Sequence, residues 1–367
     1  MPAFLNPVPS QRNVQTGAHE LIERPFVGTN GNSADCLTIG LINNMPDGAL
    51  EATERQFLSL LNSASDGMSV RISLYSLSGI SRNEFGSRHV SKNYSSAEDL
   101  FGSRLDGLIV TGKEPMAPDL RDEPYWDSFT RVLEWARENT YSTVWSCLAA
   151  HAAVLHMDGI GRIRNAHKHC GVFDCAKLSD HPVTKGTPSR FSLPHSRWNG
   201  LPEEALTACG YEVLTKSSDA GVDTFTKQQK SLFVFFQGHP EYESNALLLE
   251  YRRDVGRYLK GETDNYPLLP HGYFDQETVI ALESLQQEAL VCRKETSLAE
   301  VSEVLERTRI ENTWSTTATS IYKNWLLYID AQKRRCSATA GVSARCDSPV
   351  GLFDSTDSFV GITEIES

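Results

Sequence analysis

The stretch TVWSCLAAHAAVL, residues 143–155, decides the fold because a strand pattern and a helix pattern meet within it. Thr143 to Ser146 continue a short β-rich run, whereas the residues after Cys147 are small, apolar and helix-forming. Both elements are apolar enough for complete burial. A strand that leads directly into a buried helix is typical of a parallel sheet covered by helices on both faces.

The segments around this stretch repeat the alternation. Strands are predicted from CLTIGLINN, SVRISLYSL, LDGLIVTG and STVWS, and helices from GALEATERQFLSLLNSA, EPYWDSFTRVLEWAREN and CLAAHAAVLHM. Further along, SRFSLPHSRW, YEVLTKSS and SLFVFFQGHPEY predict strands, and SNALLLEYRRDVGRYL, residues 276–309 and TATSIYKNWLLYIDAQKRR predict helices. We therefore predict an α/β fold with a mostly parallel sheet, whose functional residues lie at the carboxyl ends of strands.

The composition limits the function classes. The chain has 367 residues, 40% of them hydrophobic and 22% charged, as in ordinary globular proteins. A net charge of −12 argues against a nonspecific nucleic-acid binder, and no apolar run approaches the roughly 20 residues that span a membrane. No secretory signal is visible, and the eight cysteines form no CxxC pair. We expect reduced thiols and a cytoplasmic location.

Cys147 is the first candidate for chemistry. At the start of a helix, free backbone N–H groups and the positive end of the helix dipole stabilise a thiolate and a developing oxyanion. Ala149 and Ala150 allow the helix to lie close to the sheet. The glycines of a G-x-C-x-G elbow are missing, however, so this segment alone favours a buried structural cysteine.

The segment FFQGHPEY, residues 235–242, is the second candidate. An apolar strand ends at Gly238, and His239 with Glu241 two positions later supplies a general base and a carboxylate that orients it. A surface histidine in a turn is the alternative. Because Cys147 follows another strand of the same predicted sheet, the two segments together predict a Cys147–His239–Glu241 triad.

The segment RNAHKHCGVFDC, residues 164–175, is rich in His and Cys. Its spacing matches no common zinc pattern, and no second cluster stands nearby. We therefore predict a polar substrate-binding loop here, with no metal and no redox cofactor.

Taken in order, several segments resemble the homoserine O-acyltransferase family of methionine biosynthesis. They are LINNMPDGALEATERQFLSLL, LDGLIVTG with YWDSF, STVWSCLAAHAAVLHMDGI, KHCGVF, LPHSRW, GHPEYESNALLLEYRRD and NWLLYI. The resemblance covers residues 38–275 and 314–330, and PHSR together with GHPEY makes it specific. It implies a flavodoxin-like fold similar to class I glutamine amidotransferases. It also implies acyl transfer from succinyl-CoA or acetyl-CoA to the hydroxyl group of L-homoserine.

Carried onto this sequence, the resemblance implies a role for each matching residue. Cys147 is the acyl-accepting nucleophile, His239 the general base and Glu241 its orienting acid. The substrate-binding residues are Lys168, Ser196 and Arg253. We expect the oxyanion to be held by the backbone N–H of Leu148 and by one near Gly112 or Lys113. Acyl-CoA is then a co-substrate, and no cofactor is bound permanently.

The chain also departs from the family pattern. Family members usually read TGAP where this chain reads TGKEPM, and Met116 falls at the position that helps to choose the acyl group. Leu148 and His151 stand where the family tends to have Trp and Gln. The predicted organisation is a flexible segment at 1–35, a single α/β acyltransferase domain at 36–335 with a helical insertion at 276–312, and a disordered tail at 336–367.

Three alternatives stay open. A glutamine amidotransferase or related hydrolase shares fold and triad, although the elbow glycines and a synthetase domain are missing. The others are a binding protein on a former enzyme fold and an acyltransferase for serine or another amino alcohol. The apolar residues of the 276–309 helices are expected to cover the domain's own surface, with a homodimer contact as the second interpretation; they are Val279, Leu282, Leu285 and Leu290.

Overall fold

The computed structural model describes residues 4–5 and 36–343. The strands are β1 (Phe4–Leu5), β2 (Cys36–Ile42), β3 (Ser69–Ser76), β4 (Ser95–Ser96), β5 (Gly107–Val110), β6 (Ser142–Ser146), β7 (Ile163–Lys177), β8 (Arg190–Gly200), β9 (Glu212–Val213), β10 (Thr215–Ser217), β11 (Gly221–Val222), β12 (Thr224–Gln228) and β13 (Leu232–Phe236). The helices are α1 (Leu50–Ala64), α2 (Glu84–Asn93), α3 (Ala97–Phe101), α4 (Trp126–Asn139), α5 (Leu148–Asp158), α6 (Glu203–Ala208), α7 (Ala246–Leu259), α8 (Gln276–Val291), α9 (Ser297–Arg307) and α10 (Ser315–Ser343).

The central sheet contains nine strands. Eight follow the order β1-β3-β2-β5-β6-β13-β12-β9, and β4 pairs with β3. Pairing is parallel from β1 through β13, whereas β12 pairs antiparallel with both of its neighbours. Strands β5, β6 and β13 are buried at every position, as near-continuous apolar runs require. The predicted α/β class with a mostly parallel sheet is confirmed.

Helices cover both faces of this sheet. On one face, Phe57 of α1 and Trp325 of α10 share a hydrophobic cluster with Ile39 of β2. On the other face, Phe129 of α4 packs in a second cluster with Val110 of β5 and the alanines of α5. The small side chains predicted to bring α5 close to the sheet are buried there. Within the described residues, no helix combines the length and apolarity needed to cross a membrane.

A second sheet of four strands, β11-β10-β7-β8, is built on the long antiparallel hairpin of β7 and β8. The prediction of a polar loop at residues 164–175 was therefore wrong, because this segment lies inside β7. Strand β7 is only partly buried, and a register shift between Arg164 and His169 interrupts its alternation. Its backbone groups are satisfied by β8, so polar side chains are tolerated along the strand.

The helices predicted at residues 276–309 are confirmed as α8 and α9. Leu282 of α8 and Val301 of α9 are buried in one cluster with Val255 of α7, so this pair covers the domain's own surface. Leu290 is exposed.

The two predicted terminal segments fall mostly outside the described residues. Of residues 1–35, only Phe4–Leu5 are described, and they pair with β3. At the other end, α10 continues to Ser343, past the predicted start of the tail at Cys336. Extending an existing helix costs far less than nucleating one, and CSATAGVS contains two helix-favouring alanines. Residues 344–367 lie outside the described part.

Candidate active site

The strand register brings three chain segments to one edge of the central sheet. Val110 of β5 lies opposite Trp145 of β6, and Phe236 of β13 lies opposite Ser146 of β6. The segments that follow these strands therefore meet. They are the TGKEPM loop, residues 111–116, the turn at Cys147, and residues 237–241.

Cys147 forms the junction between β6 and α5. Its φ angle is 53°, a value that few residues other than glycine adopt and that costs of order 1–3 kcal/mol. The Cys147 N–H donates to the Phe236 carbonyl at 2.7 Å, and the Cys147 carbonyl accepts from the Ala150 N–H at 3.0 Å. These bonds hold a nucleophile-elbow geometry without the glycines of the usual motif. The thiol is half-buried at the mouth of the turn.

His239 links Cys147 to Glu241. Its Nδ1 atom lies 2.9 Å from Glu241 Oε1, and its ring also hydrogen-bonds Cys147. Burial works against a charge on His239, but hydrogen bonds and electrostatic interactions with Cys147 and Glu241 outweigh this effect and hold the His239 pKa well above its ordinary value. The structure thus brings the three residues of the predicted triad together, with the imidazolium form of His239 favoured.

Neighbouring side chains fix the orientation of His239. The Ser146 hydroxyl donates to Glu241 Oε1 at 3.3 Å. The His239 ring stacks on the Tyr242 ring, with centroids 4.2 Å apart and planes 17° apart. The Trp314 Nε1–H donates to the Tyr242 carbonyl at 2.8 Å, which ties this turn to the segment that precedes α10. The imidazole is therefore held from its edge and from its face.

Gly112 explains how the loop after β5 approaches the turn at Cys147. A β-carbon at Gly112 would lie 2.7 Å from the Leu148 nitrogen and 3.0 Å from the Ala149 nitrogen, so only glycine fits. Leu148 is the first residue of α5, where helical N–H groups have no acceptor within the helix. The predicted oxyanion donors, the N–H groups of Leu148 and of Gly112 or Lys113, are accordingly brought to the same place.

The TGKEPM loop is organised by Glu123. The Glu123 carboxylate is buried, and its Oε1 accepts hydrogen bonds from the N–H groups of Met116 and Ala117. The Lys113 Nζ lies 3.9 Å from Glu123 Oε2 and 5.4 Å from the centroid of the Tyr125 ring. Met116 is 71% exposed, so the structure does not enclose this predicted acyl-specificity residue.

The three predicted substrate-binding residues meet on one carboxylate. Lys168 Nζ lies 3.4 Å from Glu250 Oε2, the Ser196 hydroxyl donates to the same oxygen, and Arg253 Nη2 lies 3.7 Å from it. Asp254 pairs with Lys168 at 2.9 Å and with Arg253 at 2.8 Å. We call these five residues, Lys168, Ser196, Glu250, Arg253 and Asp254, the Glu250 cluster.

Glu250, Asp254 and Tyr242 were not predicted from the sequence. Acids four positions apart on a helix usually mark a solvated face, and nothing local distinguishes Glu250 from such a residue. Burial raises the Glu250 pKa, but Lys168 and the hydroxyls of Ser196 and Tyr242 outweigh this, so that the pKa is lowered overall. Glu250 is therefore a carboxylate at neutral pH. The one available signal was its position three residues before Arg253 on the same helix.

His151 joins α5 to the turn before His239. Its Nε2 lies 2.9 Å from Gln237 Oε1, which also accepts the Leu201 N–H at 3.0 Å. Burial, together with the charge of Arg197, lowers the His151 pKa to about 3. His151 is thus a neutral hydrogen-bonding residue within the core.

The His- and Cys-rich part of β7 does not form a metal-binding group with other described residues. Across residues 36–343, no three His, Cys, Asp or Glu side chains come together in a metal-binding group. Burial raises the pKa of the Cys170 thiol to about 12, so this cysteine is uncharged at neutral pH.

A cysteine at a strand–helix turn, with a buried histidine–carboxylate pair on the adjacent strand, is typical of enzymes that transfer or hydrolyse acyl groups. The comparison with protein families makes this class more specific. The model of the homoserine O-succinyltransferase family matches residues 28–336. The chain belongs to that family, which confirms the resemblance found in the sequence and the assignment as an acyltransferase enzyme.

Individual proteins that carry this family's name are also similar to the chain. The homoserine O-succinyltransferase of Rhodopseudomonas palustris is 44% identical over 300 residues, which cover 82% of this chain and 90% of the relative. The homoserine O-succinyltransferase of Bradyrhizobium japonicum is 45% identical over 294 residues, which cover 80% of this chain and 90% of the relative. Among solved structures, a glutamine amidotransferase from Methylobacillus flagellatus is similar with a TM-score of 0.43 and 14% identity, covering 80% of this chain and 95% of its own.

Proposed function

We propose that this chain transfers a succinyl group from succinyl-CoA to the hydroxyl group of L-homoserine, through a thioester on Cys147, in methionine biosynthesis. The observation that carries the proposal is the contact of Cys147, at its strained turn, with the buried His239–Glu241 pair. Membership of the homoserine O-succinyltransferase family supports the choice of substrates.

In the first half-reaction, His239 holds the Cys147 proton and the thiolate attacks the thioester carbonyl of succinyl-CoA. The N–H groups of Leu148 and of Gly112 or Lys113 stabilise the negative charge on the carbonyl oxygen by hydrogen bonds. When the C–S bond to coenzyme A breaks, His239 donates its proton to the departing thiolate. Cys147 then carries the succinyl group, and His239 is neutral.

In the second half-reaction, the neutral His239 removes the proton of the homoserine hydroxyl as the oxygen attacks the Cys147 thioester. The Cys147 thiolate leaves, which produces O-succinylhomoserine and restores the thiolate–imidazolium pair. Glu241 holds the Nδ1 edge of the imidazole, which orients the ring for both proton transfers. This chemistry involves no resident cofactor, and coenzyme A enters only as part of a substrate.

Lys113 supports succinyl over acetyl as the acyl group. Its side chain belongs to the same loop as one of the proposed oxyanion donors, and its ammonium group lies near the buried carboxylate of Glu123 and the ring of Tyr125. A succinyl group ends in a carboxylate, which this cation attracts, whereas an acetyl group offers nothing for it to bind. Met116 is exposed on the same loop and contributes to acyl choice through the loop's shape.

The test is labelling of Cys147 by succinyl-CoA that carries radioactivity in the succinyl group, without homoserine. The wild-type protein should retain one label and release one equivalent of coenzyme A, and added homoserine should remove the label. Cys147→Ala should take up none. The exposed Cys292 offers a matched control, and Cys292→Ala should label as the wild type does. A label that survives in Cys147→Ala contradicts the thioester.

A substrate matrix separates the alternatives. Succinyl-CoA and acetyl-CoA are each tested with homoserine and serine, following the free thiol released, and glutaminase activity is assayed separately. We expect the succinyl-CoA and homoserine pair to be fastest. Glutamine hydrolysis without thiol release favours an amidotransferase, and no turnover with any pair favours a binding protein.

A further inference from the structure

Two buried asparagines follow strand β2, at the edge of the sheet that carries the triad, and their side chains are used differently. The Asn43 Nδ2 donates to the Leu50 carbonyl and to the Tyr94 hydroxyl, both at 3.0 Å. Its Oδ1 accepts from the Met45 N–H at 3.2 Å. Asn43 thus anchors the chain after β2 to neighbouring helices, whereas Asn44 binds the loop that follows β5.

Asn44 holds Thr111, the first residue of the TGKEPM loop, through two hydrogen bonds. The Asn44 N–H donates to Thr111 Oγ1, and the Asn44 Nδ2 donates to the Thr111 carbonyl, each at 2.8 Å. The Thr111 N–H donates in turn to the Ile42 carbonyl at 3.0 Å. Both Asn44 and Thr111 are buried, so water does not compete for these bonds. Thr111 is therefore fixed at its N–H, its hydroxyl and its carbonyl.

The bond to the Thr111 carbonyl also sets the direction of the Gly112 N–H. The two groups belong to one planar peptide unit, and no cis peptide bond occurs among the described residues, so they point in opposite directions. Within residues 36–343, no acceptor occupies the Gly112 N–H. A hydrogen bond accepted by the carbonyl polarises the peptide unit and makes its N–H a stronger donor. Asn44 therefore orients and strengthens a free N–H beside the Leu148 nitrogen.

The stability of the fold does not account for an asparagine at position 44. The Asn44 Oδ1 is buried, and it has no hydrogen-bond partner in the described part of the chain. Burying an unpaired oxygen is costly, and an apolar side chain of similar size avoids that cost. What an apolar side chain cannot supply is the hydrogen bond to the Thr111 carbonyl.

We propose that Asn44 is a positioning residue for acyl transfer, whose side chain aims the Gly112 N–H at the oxyanion formed at Cys147. This inference rests on the proposed function, since it concerns the same reaction. It selects Gly112 and not Lys113 as the donor that acts together with Leu148. Asn44 acts through Gly112 and makes no bond of its own to the acyl group.

The experiment compares two reactions of Cys147 in Asn44→Leu. Acylation by succinyl-CoA passes through an oxyanion, whereas alkylation by iodoacetamide does not, although both reactions need the thiolate. Acylation is followed without homoserine as the release of the first equivalent of coenzyme A at saturating succinyl-CoA. Alkylation is followed by mass spectrometry of the peptide that contains Cys147. In Asn44→Leu, acylation should slow by at least about 10-fold, and alkylation should stay within about 3-fold of the wild-type rate.

The matched control is Asn43→Leu, which removes the neighbouring amide and should keep the wild-type ratio of acylation to alkylation rates. Unchanged acylation in Asn44→Leu overturns the proposal. Equal slowing of both reactions also overturns it, because the turn at Cys147 has then moved as a whole. If Asn44→Leu does not fold, Asn44→Ala is judged by the same two rates. Failure of the proposed function gives a different result, since the wild type then releases no coenzyme A from succinyl-CoA.

Discussion

Two buried histidines lie at the same edge of the central sheet, and their pKa values are shifted in opposite directions. The pKa of His239 is held well above the ordinary value, whereas that of His151 is lowered to about 3. Both are almost completely buried, so burial alone does not explain the difference. His239 faces two acidic groups, Cys147 and Glu241, whereas His151 faces a neutral amide and feels the positive charge of Arg197.

Charged neighbours, and not depth in the core, therefore decide which histidine is suited to proton transfer. His239 is favoured as an imidazolium and can donate its proton and take it back. His151 stays neutral across the physiological range and acts only as a hydrogen-bonding partner of Gln237.

The largest effect is expected from removing the imidazole of His239. His239→Gln should lower kcat for succinyl transfer by about 10⁴-fold, because no other group is placed to move the Cys147 proton. His151→Gln is the matched variant and should lower kcat by less than about 10-fold. Steady-state rates of coenzyme A release measure both. Comparable losses in the two variants would end the distinction between a proton carrier and a structural histidine.

Glu241→Gln should reduce kcat by about 10²-fold and should lower the pKa of His239. Removing the negative charge of Glu241 takes away one of the causes that raise this pKa, so the imidazolium loses its proton at a lower pH. Titration of the histidine ring protons by NMR measures the shift. The His151 titration should not move. An unchanged His239 midpoint would mean that Cys147 alone sets its charge.

Gly112→Ala tests whether α5 is positioned by close contact with the loop after β5. The added β-carbon would overlap the Leu148 and Ala149 nitrogens, which should cost about 3 kcal/mol of unfolding free energy. Chemical denaturation measures this loss, with Gly48→Ala as a control at a position where a β-carbon meets nothing within 4 Å. The first half-reaction should slow as well. Equal stability of the two variants would show that the helix can shift freely.

The smallest effect concerns the pH dependence of stability. The pKa of His151 in the folded protein is about 3, below its ordinary value of 6.5. The unfolded chain therefore binds a proton at this histidine more readily than the folded protein does. As a result, His151 lowers the free energy of unfolding as the pH falls below 6.5. From pH 7 to pH 5 this amounts to about 2 kcal/mol. The pKa of His239 is raised, so its protonation stabilises the fold. This contribution to the free energy of unfolding is fully present below pH 6.5 and is lost as the pH rises above that value.

Denaturation of the variants at several pH values separates the two contributions. His151→Gln should lose less stability on acidification than the wild type, and His239→Gln should lose more. Parallel curves for all three proteins would contradict the assigned protonation states.

The first half of the fold could be predicted from the sequence because its strands and helices are strongly periodic. The triad was predictable for a related reason: Cys147 and His239 each follow an apolar strand, and parallel strands share one edge. Strand β7 was misassigned because its side chains are polar and its alternation is interrupted by a register shift. Its pairing with β8 and β10 makes it a strand, and pairing with distant segments leaves little local signal.

The Glu250 cluster shows a different limit. Lys168, Ser196 and Arg253 were placed by resemblance, but Glu250, which joins them, has no motif of its own. It lies 82 positions from Lys168 in the chain. A helical glutamate gives the same local signal whether it faces solvent or a buried lysine. Only the tertiary structure shows that the two cations and two carboxylates of the Glu250 cluster pair with one another.

The hydrogen bond from Trp314 to the Tyr242 carbonyl has a consequence for how the protein is made. A ribosome releases the chain from its N-terminus, so the strands that carry Cys147 and His239 emerge well before Trp314 and α10. Until then one face of the sheet lacks the buried side chains of that helix, among them Ile321, Tyr322 and Trp325. The nascent protein therefore carries all three triad residues while the support behind His239 is still missing, and its activity should begin only late in synthesis.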